Sequence, residues 1–530
     1  MADSADTVDT APISTSAPPV AIAVIVSDER APSVVPAPAY PPQHRFSKHY
    51  ARRARHVRNI VRLILFTLTL LGTLAVVAPD GPGVGGYLSA AASARAGLRY
   101  DRALAFYATA SAESPADPRP YCASGDVRAL QQEWRDAIAA YRACIARAAG
   151  DTQTGAAGWL GLGNALSTTG DDASAENAWR HAERMGSHEA SQRLGLLYER
   201  QSRFDDALRA WAALPADDPQ AREHLGLFAL WRGDYAAARA DFVALRAEPN
   251  AYADEMVDNG FLVLAARPPQ DAASFSLLGY RFLAIGLPSL SLAPLRASLA
   301  LAPQDGATHA YLGWALWVLG RPSDARQEIA TGLRLAPRLS FAWYATGQLA
   351  LADDNAQRAA DAFDHAAALD PNNSVIWAAS GRLALGRHDY ITGELALERA
   401  AELSHDPADT IALLQLYADS GLHLLTTDRA RQAALDAVRR FPDSEPIRYL
   451  LAAVYDHIGQ LSFAYYAARD AIALDPTDPA PYVLLGRYAF NSGDYVTAAL
   501  DLRLALALRP HGPQADEARA LLAPIEDIAV

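Results

Sequence analysis

The sequence predicts an all-α fold: a solenoid of about twelve stacked helical hairpins, preceded by a disordered tail and one transmembrane helix. Two residue types recur every 34 residues, glycine at Gly279, Gly313, Gly347 and Gly381, and proline at Pro303, Pro337 and Pro371. Such a period is typical of repeat architectures, in which each unit buries its apolar face on its neighbours. Alanine is also abundant, and it combines the highest helix propensity with a side chain small enough for close helix packing.

Charge and composition limit the possible partners. The chain carries a net charge of −13, to which residues 1–43 contribute −4 and residues 44–62 contribute +7, so that the remainder carries −16. A body this acidic repels phosphate backbones, and we expect no nucleic-acid partner. Lys48 is the only lysine, which excludes lysine-based catalysis and phosphate binding from the folded body. Arginine in place of lysine, with much Ala, Gly and Pro, indicates a GC-rich bacterial genome.

The N-terminal part divides into three segments. Residues 1–43 are rich in Ala, Pro and Ser without periodicity, which predicts a disordered tail. Residues 44–62 form a basic juxtamembrane segment. The uncharged run 63–78 follows, and with Ile60 and Val61 it reaches a length that can cross a bilayer. We therefore predict a transmembrane signal-anchor over residues 60–78.

The basic residues precede this segment, and the positive-inside rule places the N-terminus in the cytoplasm and the body outside it. The expected protein is thus a single-pass cell-membrane protein with an extracytoplasmic body. The alternative is a cleaved signal peptide, because the small residues 89–94 offer a cleavage site. The long stretch ahead of the apolar run favours the uncleaved anchor.

The remaining residues divide into a linker and two arrays. Residues 79–86 are rich in Gly and Pro and predict a linker. An N-terminal repeat array is predicted over 84–250 and a C-terminal array over 272–512. The wide spacing between their glycines predicts an extra helix or half-repeat at 251–271. Residues 513–530 are expected to form a capping helix and a tail, because the open end of an array needs a polar cover.

The repeat pattern is clearest in residues 479–512, where the regularly placed residues are Tyr482, Leu485, Gly486, Tyr495, Ala498, Ala505 and Pro510. This pattern resembles the tetratricopeptide repeat, a 34-residue pair of antiparallel helices. The resemblance implies a right-handed α-solenoid. It also implies small residues at repeat positions 8, 20 and 27, where helices approach closely, and large residues at positions 4, 11 and 24 between them.

The resemblance further implies that positions 2, 5, 9, 12 and 13 of the first helix line a concave groove that binds extended peptides or helices. The residues expected there are Tyr280, Trp314, Trp317, Phe341, Tyr344, Arg382, Tyr449 and Arg487. Aromatic side chains bury a large area at a low entropic cost, so the aromatic members are expected to contact a partner. In the alternative interpretation, a tightly wound superhelix packs these rings against neighbouring turns.

The two cysteines fall in one predicted repeat, Cys122 at position 5 and Cys144 at position 27. An antiparallel pair of helices places these positions at a similar height. An oxidising compartment would allow a disulfide. Two small apolar fillers are the alternative, since sequence does not give the Cα separation on which a bond depends.

Motifs that carry chemistry are absent from the sequence. The glycine-rich residues 81–86 are not followed by Gly-Lys-Ser/Thr, no His-Glu-x-x-His or Cys-x-x-Cys occurs, and no Gly-x-Ser-x-Gly elbow is present. We therefore expect no catalytic residue, no metal and no cofactor, and a protein that is not an enzyme. The expected function is a membrane-tethered scaffold that binds segments of other proteins. The alternative is a self-assembling structural component of an envelope or surface complex.

Overall fold

The computed structural model describes residues 83–247, 260–418 and 427–525. Every regular element in these ranges is a helix, and they contain no strand, so the prediction of an all-α fold is confirmed. The predicted tail 1–43, the basic segment 44–62 and the signal-anchor 60–78 lie outside the described residues. Within those residues, no helix has both the length and the apolar character that crossing a bilayer requires.

The described chain forms two compact units. The N-terminal unit consists of residues 83–187 together with Arg503–Asp516, and the large unit consists of His188–Leu502 together with residues 517–525. The helices of the N-terminal unit are α1 (Gly83–Ala96), α2 (Tyr100–Glu113), α3 (Arg119–Leu130), α4 (Trp134–Arg147), α5 (Thr152–Thr168) and α6 (Asp172–Arg184). They pack in consecutive pairs, α1 on α2, α3 on α4 and α5 on α6.

The large unit continues the same arrangement. Its helices are α7 (His188–Arg200), α8 (Phe204–Ala212), α9 (Pro219–Arg232), α10 (Tyr235–Arg246), α11 (Phe261–Ala266), α12 (Ala272–Ala284), α13 (Pro288–Leu301), α14 (Gly306–Val318), α15 (Pro322–Leu335), α16 (Ser340–Ala352), α17 (Ala356–Leu369), α18 (Ser374–Gly386), α19 (Tyr390–Leu403), α20 (Pro407–Ala418), α21 (Thr427–Arg440), α22 (Glu445–His457), α23 (Leu461–Leu474) and α24 (Ala480–Asn491). The last two helices, α25 (Tyr495–Leu508) and α26 (Pro513–Leu522), contain residues of both units, and the short 3₁₀ turn Ala523–Ile525 follows them.

Helix starts follow local chemistry. Asp218, Asp271 and Asp305 precede α9, α12 and α14, and each side chain accepts a hydrogen bond from a backbone N–H of the first turn. Such caps satisfy donors that have no partner inside the helix. Proline occupies the first turn of α13 and α15, where its missing N–H costs nothing.

The turn between paired helices requires a left-handed backbone. Gly286, Gly320, Gly459 and Gly493 hold a positive φ at this point, and Asp354 and His388 hold it without being glycine. All six occupy repeat position 15. A single conformational demand therefore explains why glycine recurs at this position, which it occupies in six of the eleven described turns.

A close approach within each hairpin explains the glycine spacing. A Cβ built at Gly195 would lie 2.5 Å from the ring of Trp211, one at Gly226 would lie 2.7 Å from Phe242, and one at Gly486 would lie 2.6 Å from Leu502. In every case the glycine is at position 8 and the large side chain at position 24. Each glycine thus makes room for the bulky residue of the partner helix, as the repeat pattern predicted.

One predicted boundary is wrong. The linker expected over 79–86 overlaps α1, because Gly83 to Gly86 already lie in its first turn. Glycine disfavours a helix, but α1 packs on α2 through the buried residues Ala91 and Ala94, and tertiary packing outweighs propensity. In the predicted extra segment 251–271, the structure describes the six-residue helix α11.

Candidate functional site

The predicted groove aromatics come together in the structure. The ring centroids of Tyr280 and Tyr311 lie 5.0 Å apart, and those of Tyr311 and Phe341 lie 5.1 Å apart. Trp314 lies 5.6 Å from Tyr344 and 6.1 Å from Phe341. The rings therefore form one contiguous aromatic cluster across α12, α14 and α16.

Two of these residues do not line an open surface. Tyr280 is 5% exposed and Phe341 is 7% exposed, so the expectation that they face a partner is wrong. The physical reason is Tyr311, which was not among the predicted groove residues. Its ring lies between theirs and completes a packed layer. Burial in this layer also raises the pKa of the Tyr280 phenol.

The other three aromatics, which we call the aromatic row, are Trp314, Trp317 and Tyr344, and each remains partly exposed. The two tryptophans also rest on the core residues Ile329 and Leu349. Packing from behind fixes the rings in place, so little entropy is left to lose when a partner covers their exposed faces.

A cavity of about 480 Å³ is lined partly by the turn that leads into α13, residues 286–290, and partly by groove positions that the sequence analysis did not single out. From α7 it is lined by Leu196, Glu199 and Arg200, at positions 9, 12 and 13. From α14 it is lined by Val318, at position 13, which is 54% exposed. Applying the repeat positions to residues 188–221 as well would have found them. The aromatic character that directed attention to α14 and α16 is absent from α7.

A buried polar cluster supports this cavity. Glu199 is 7% exposed, and its Oε1 accepts a hydrogen bond of 2.7 Å from Trp211 Nε1. His224 Nδ1 lies 2.7 Å from the same oxygen, and the imidazole stacks on the Trp211 ring with centroids 4.1 Å apart. A buried carboxylate needs such partners to offset its desolvation. Glu199 is thereby fixed at the cavity wall.

The expected polar anchor Arg382 is exposed on α18. It lies close enough to Tyr344 and Asp409 for its charge to lower the pKa of both groups. Burial is the larger influence at both groups, and it raises their pKa values. Arg382 thus extends the aromatic row with a cation that solvent and a partner can reach.

The other two expected anchors, Arg487 and Tyr449, are less exposed than Arg382. Arg487 donates to Asp456 Oδ2 at 2.7 Å and to Glu517 Oε1 at 2.8 Å. Its charge is therefore matched within the protein by α22 and α26, although the side chain is partly exposed, and its role as an anchor for a partner stays a prediction. Tyr449 is partly buried against the surrounding core cluster, and burial raises its pKa.

A disulfide joins Cys122 on α3 to Cys144 on α4, with Cα atoms 5.2 Å apart. Both residues are buried, and a Cβ at Gly158 of α5 would lie 3.1 Å from Cys122 Sγ. The bond therefore links the two helices of one hairpin beneath the next one. It lies in the N-terminal unit, and the aromatic row lies in the large unit.

Among the described residues, no group of three or more His, Cys, Asp or Glu side chains is arranged to hold a metal ion.

Paired helices, a left-handed turn, and a glycine opposed to a bulky residue in hairpin after hairpin define a helical repeat protein. Its hairpins are of the tetratricopeptide type, since the small and large residues that oppose one another occupy positions 8 and 24 of that repeat.

Comparison with known proteins gives the following. No family model matches the sequence, and no curated protein matches it. Among solved structures, that of yeast Tom70 aligns with 84% of this chain, and the alignment covers 96% of the Tom70 chain, at 14% identity and a TM-score of 0.32. The alignment with the Cut9–Hcn1 structure covers 80% of this chain and 99% of the other, at 15% identity and a TM-score of 0.34. The alignment with PilF of Pseudomonas aeruginosa covers 47% of this chain and 96% of the PilF chain, at 17% identity and a TM-score of 0.30. At these TM-scores the likeness carries no argument, and the hairpin type rests on the packing described above.

Proposed function

We propose that this protein is a non-catalytic scaffold that binds other polypeptides along the groove formed by the first helices of its hairpins. One observation carries the proposal: the aromatic row of Trp314, Trp317 and Tyr344 is fixed from behind and partly exposed in front. Rigid aromatic surface of this kind is enriched where proteins contact each other.

The surroundings of the row support a polypeptide ligand. Exposed Val318 follows Trp317 directly and lines the cavity that also contains Glu199. Arg382 stands at the other end of the row, near Tyr344. A partner segment lying across α14, α16 and α18 thus meets aromatic and apolar surface, with the cation Arg382 at one end.

Site-specific photo-crosslinking tests the proposal in cells. A benzophenone amino acid replaces Val318, which is 54% exposed. The matched control replaces Val243 on α10, which is 51% exposed and occupies position 25, outside the groove positions. We expect one or a few discrete protein adducts at position 318 and several-fold lower yield at position 243.

A second substitution links the adduct to the aromatic row. Trp317→Ala in the position-318 crosslinker background is expected to reduce the adduct at least tenfold while the helical circular dichroism signal is kept. Equal yields at positions 318 and 243, or an adduct that survives Trp317→Ala, would show that the groove is not the binding surface.

We further propose that residues 60–78 anchor the protein in the cell membrane, with the N-terminus cytoplasmic and the helical body extracytoplasmic. The basic-then-apolar order of the sequence supports this orientation. The disulfide between Cys122 and Cys144 supports it independently, because such bonds persist in oxidising compartments.

Protease protection tests the anchor. In intact spheroplasts, added protease is expected to digest the helical body and to leave an epitope tag at the N-terminus intact. A chain lacking residues 60–78 is expected to leave the membrane fraction on carbonate extraction. A body protected from protease, or membrane binding that survives the deletion, would contradict the proposed topology.

Self-assembly is a second candidate function, and one observation favours it. The outer faces of α19 and α25 expose apolar side chains, among them Ile391 at 70% and Leu500 at 63%. Apolar surface left open on a monomer often marks a contact site. Light scattering of the detergent-solubilised full chain separates the two candidates. A concentration-independent monomer mass rules out self-assembly, whereas a defined oligomer that Ile391→Ser or Leu500→Ser dissociates supports it.

A further inference from the structure

A second cavity, of about 400 Å³, lies between α15 and α16 of the large unit. Three arginines line it, Arg326 and Arg334 from α15 and Arg358 from the first turn of α17. None of its lining residues is at a groove position. They occupy repeat positions 21, 24, 25, 28 and 29 of one hairpin and positions 7, 10, 11, 14 and 19 of the next. We call it the arginine pocket.

The charge of the arginine pocket is only partly compensated. Arg326 Nη2 donates to Asp353 Oδ1 at 2.5 Å, and Asp353 is the only acid that lines the cavity. Arg334 and Arg358 are exposed, and neither side chain has a hydrogen bond or ion pair within the described part of the chain. Two cationic groups thus face the same cavity in a protein whose body carries a large net negative charge.

Beneath the arginines the cavity is apolar. Leu333 and Ala330 offer aliphatic surface, and Ile329 and Leu349 close the floor beneath them with 1% and 7% of their surface exposed. The Thr346 hydroxyl lines the cavity and donates to the Ala342 carbonyl oxygen. Cavities of this size, mostly apolar with a few charged groups, are typical of sites that bind small ligands or single side chains of a partner. A ligand that fits must combine an aliphatic portion with negative charge.

We propose that the arginine pocket binds a short segment of a partner polypeptide in which an aliphatic side chain is flanked by carboxylates. The aliphatic side chain would rest on Leu333 and Ala330, and the carboxylates would pair with Arg334 and Arg358. The planar guanidinium group matches a carboxylate through two parallel hydrogen bonds. The apolar floor favours a peptide over inorganic phosphate, and the strongly acidic body disfavours a nucleic acid.

This second site goes beyond the proposed groove function and does not depend on it. The arginines of the pocket and the aromatic row are different residues, so each site can be tested alone, although Ile329 and Leu349 contribute to the pocket and also support the two tryptophans of the row.

Fluorescence anisotropy on the detergent-solubilised full chain tests the pocket. The probe is the peptide acetyl-Glu-Leu-Leu-Glu with a C-terminal neutral fluorophore, and the matched peptide replaces both Glu with Gln. We expect the Glu peptide to bind at least tenfold more tightly than the Gln peptide, and its affinity to fall with added salt.

Two double variants locate the binding. Arg334→Gln with Arg358→Gln is expected to weaken the Glu peptide at least tenfold. Arg239→Gln with Arg296→Gln removes the same charge from exposed residues of α10 and α13 outside the pocket, and is expected to change the Kd less than twofold. Arg334→Lys with Arg358→Lys keeps the charge but not the paired hydrogen bonds, and its affinity is expected to lie between those of the Gln double variant and the wild type. An unchanged circular dichroism spectrum of the Gln double variant excludes a folding defect.

Three results would overturn the proposal. Equal binding of the Glu and Gln peptides would remove the role of the carboxylates. Equal losses in the two Gln double variants would reduce the effect to overall charge. Competition by inorganic phosphate or by an oligothymidine at concentrations comparable to the peptide would assign the pocket to a different ligand.

Discussion

At the scale of single residues, the contact between positions 8 and 24 decides how closely the helices of a hairpin approach. Gly195 faces Trp211, and the indole cannot move aside easily. Its Nε1 is held by Glu199 at 2.7 Å, and its ring is stacked on His224. The absence of one Cβ atom at Gly195 is therefore a requirement of the packing.

This contact gives the first prediction. Gly195→Ala places a Cβ 2.5 Å from the Trp211 ring, and we expect it to lower the stability of the large unit by about 1–3 kcal/mol through overpacking. Thermal unfolding followed by circular dichroism measures the change. Gly386→Ala is the matched control, because a Cβ there meets nothing within 4 Å. An unfolding midpoint for Gly195→Ala equal to that of the control would contradict the packing argument.

Two carboxyl groups give the second prediction. Burial, with Asp494 nearby, raises the pKa of Asp501 to about 6, and burial, with Asp478 and Asp475 nearby, raises that of Glu445 to about 7. A folded-state pKa above the unfolded value means that the folded protein binds the proton more tightly. The contribution of each group to the free energy of unfolding is complete below its pKa in the unfolded state, and it is lost as the pH rises through its pKa in the folded state.

We therefore expect the temperature of the unfolding midpoint to decrease as the pH is raised from 5 to 8. The double variant Asp501→Asn with Glu445→Gln is expected to flatten this dependence. At pH 8 the double variant should be more stable than the wild type, by about 1 kcal/mol after allowance for solvent screening. Asp217→Asn removes one exposed acidic charge elsewhere in the large unit and should keep the wild-type slope. A double variant with the wild-type slope would show that these carboxyls do not control the dependence.

At the scale of elements, the turn inside each hairpin gives the third prediction. Gly320 has a φ of 72° with open space around it, whereas Gly386 is helical with open space around it. Gly320→Ala should destabilise by about 1–2 kcal/mol through backbone strain alone. Gly386→Ala should stabilise by about 0.5–1 kcal/mol through helix propensity. Opposite shifts of the unfolding midpoint are expected, and shifts of the same sign would contradict the role assigned to the turn.

The elements also show what the sequence could predict. Helix pairs and their close approaches repeat with the glycine period, so Gly279, Gly313 and Gly347 were sufficient to predict them. Which groove side chains stay exposed depends on how neighbouring hairpins tilt, and the period carries no such information. The sequence pattern therefore did not predict that the ring of Tyr311 would cover Tyr280 and Phe341. Repeat position alone cannot predict such burial.

The polar members of the site were hard to predict for a similar reason. The partners of Arg487 are Asp456, in the preceding hairpin, and Glu517, in the helix that follows the array. A register within one repeat says nothing about charges from adjacent elements. Leu196, Glu199 and Arg200 were missed for a simpler reason, since the groove positions were not read off in residues 188–221.

At the scale of the whole molecule, stability is expected to differ from hairpin to hairpin, and the disulfide gives the fourth prediction. It closes a loop with a sequence separation of 22, and a loop of that size is worth about 3 kcal/mol. We expect Cys122→Ala with Cys144→Ala to make residues 83–187 much more sensitive to limited proteolysis, with cleavage sites mapped by mass spectrometry. The large unit should keep its wild-type sensitivity.

A reductant provides the complementary measurement. It should reproduce the effect of the double variant in the wild-type protein and should have no further effect on the variant. Unchanged proteolysis of the reduced wild type would show that the hairpin of α3 and α4 is held by its other contacts alone.

The opposition of positions 8 and 24 also governs which pairs of mutations the chain can accept. In the hairpin of α22 and α23 these positions are Ala452 and Ala468, both fully buried, so a methyl group on each helix replaces the glycine and the bulky side chain found elsewhere. Volume gained on one helix is matched by volume given up on the other. Exchanges at the two positions should therefore be strongly non-additive: shrinking Trp211 should rescue a larger residue at Gly195, and each change alone should be harmful.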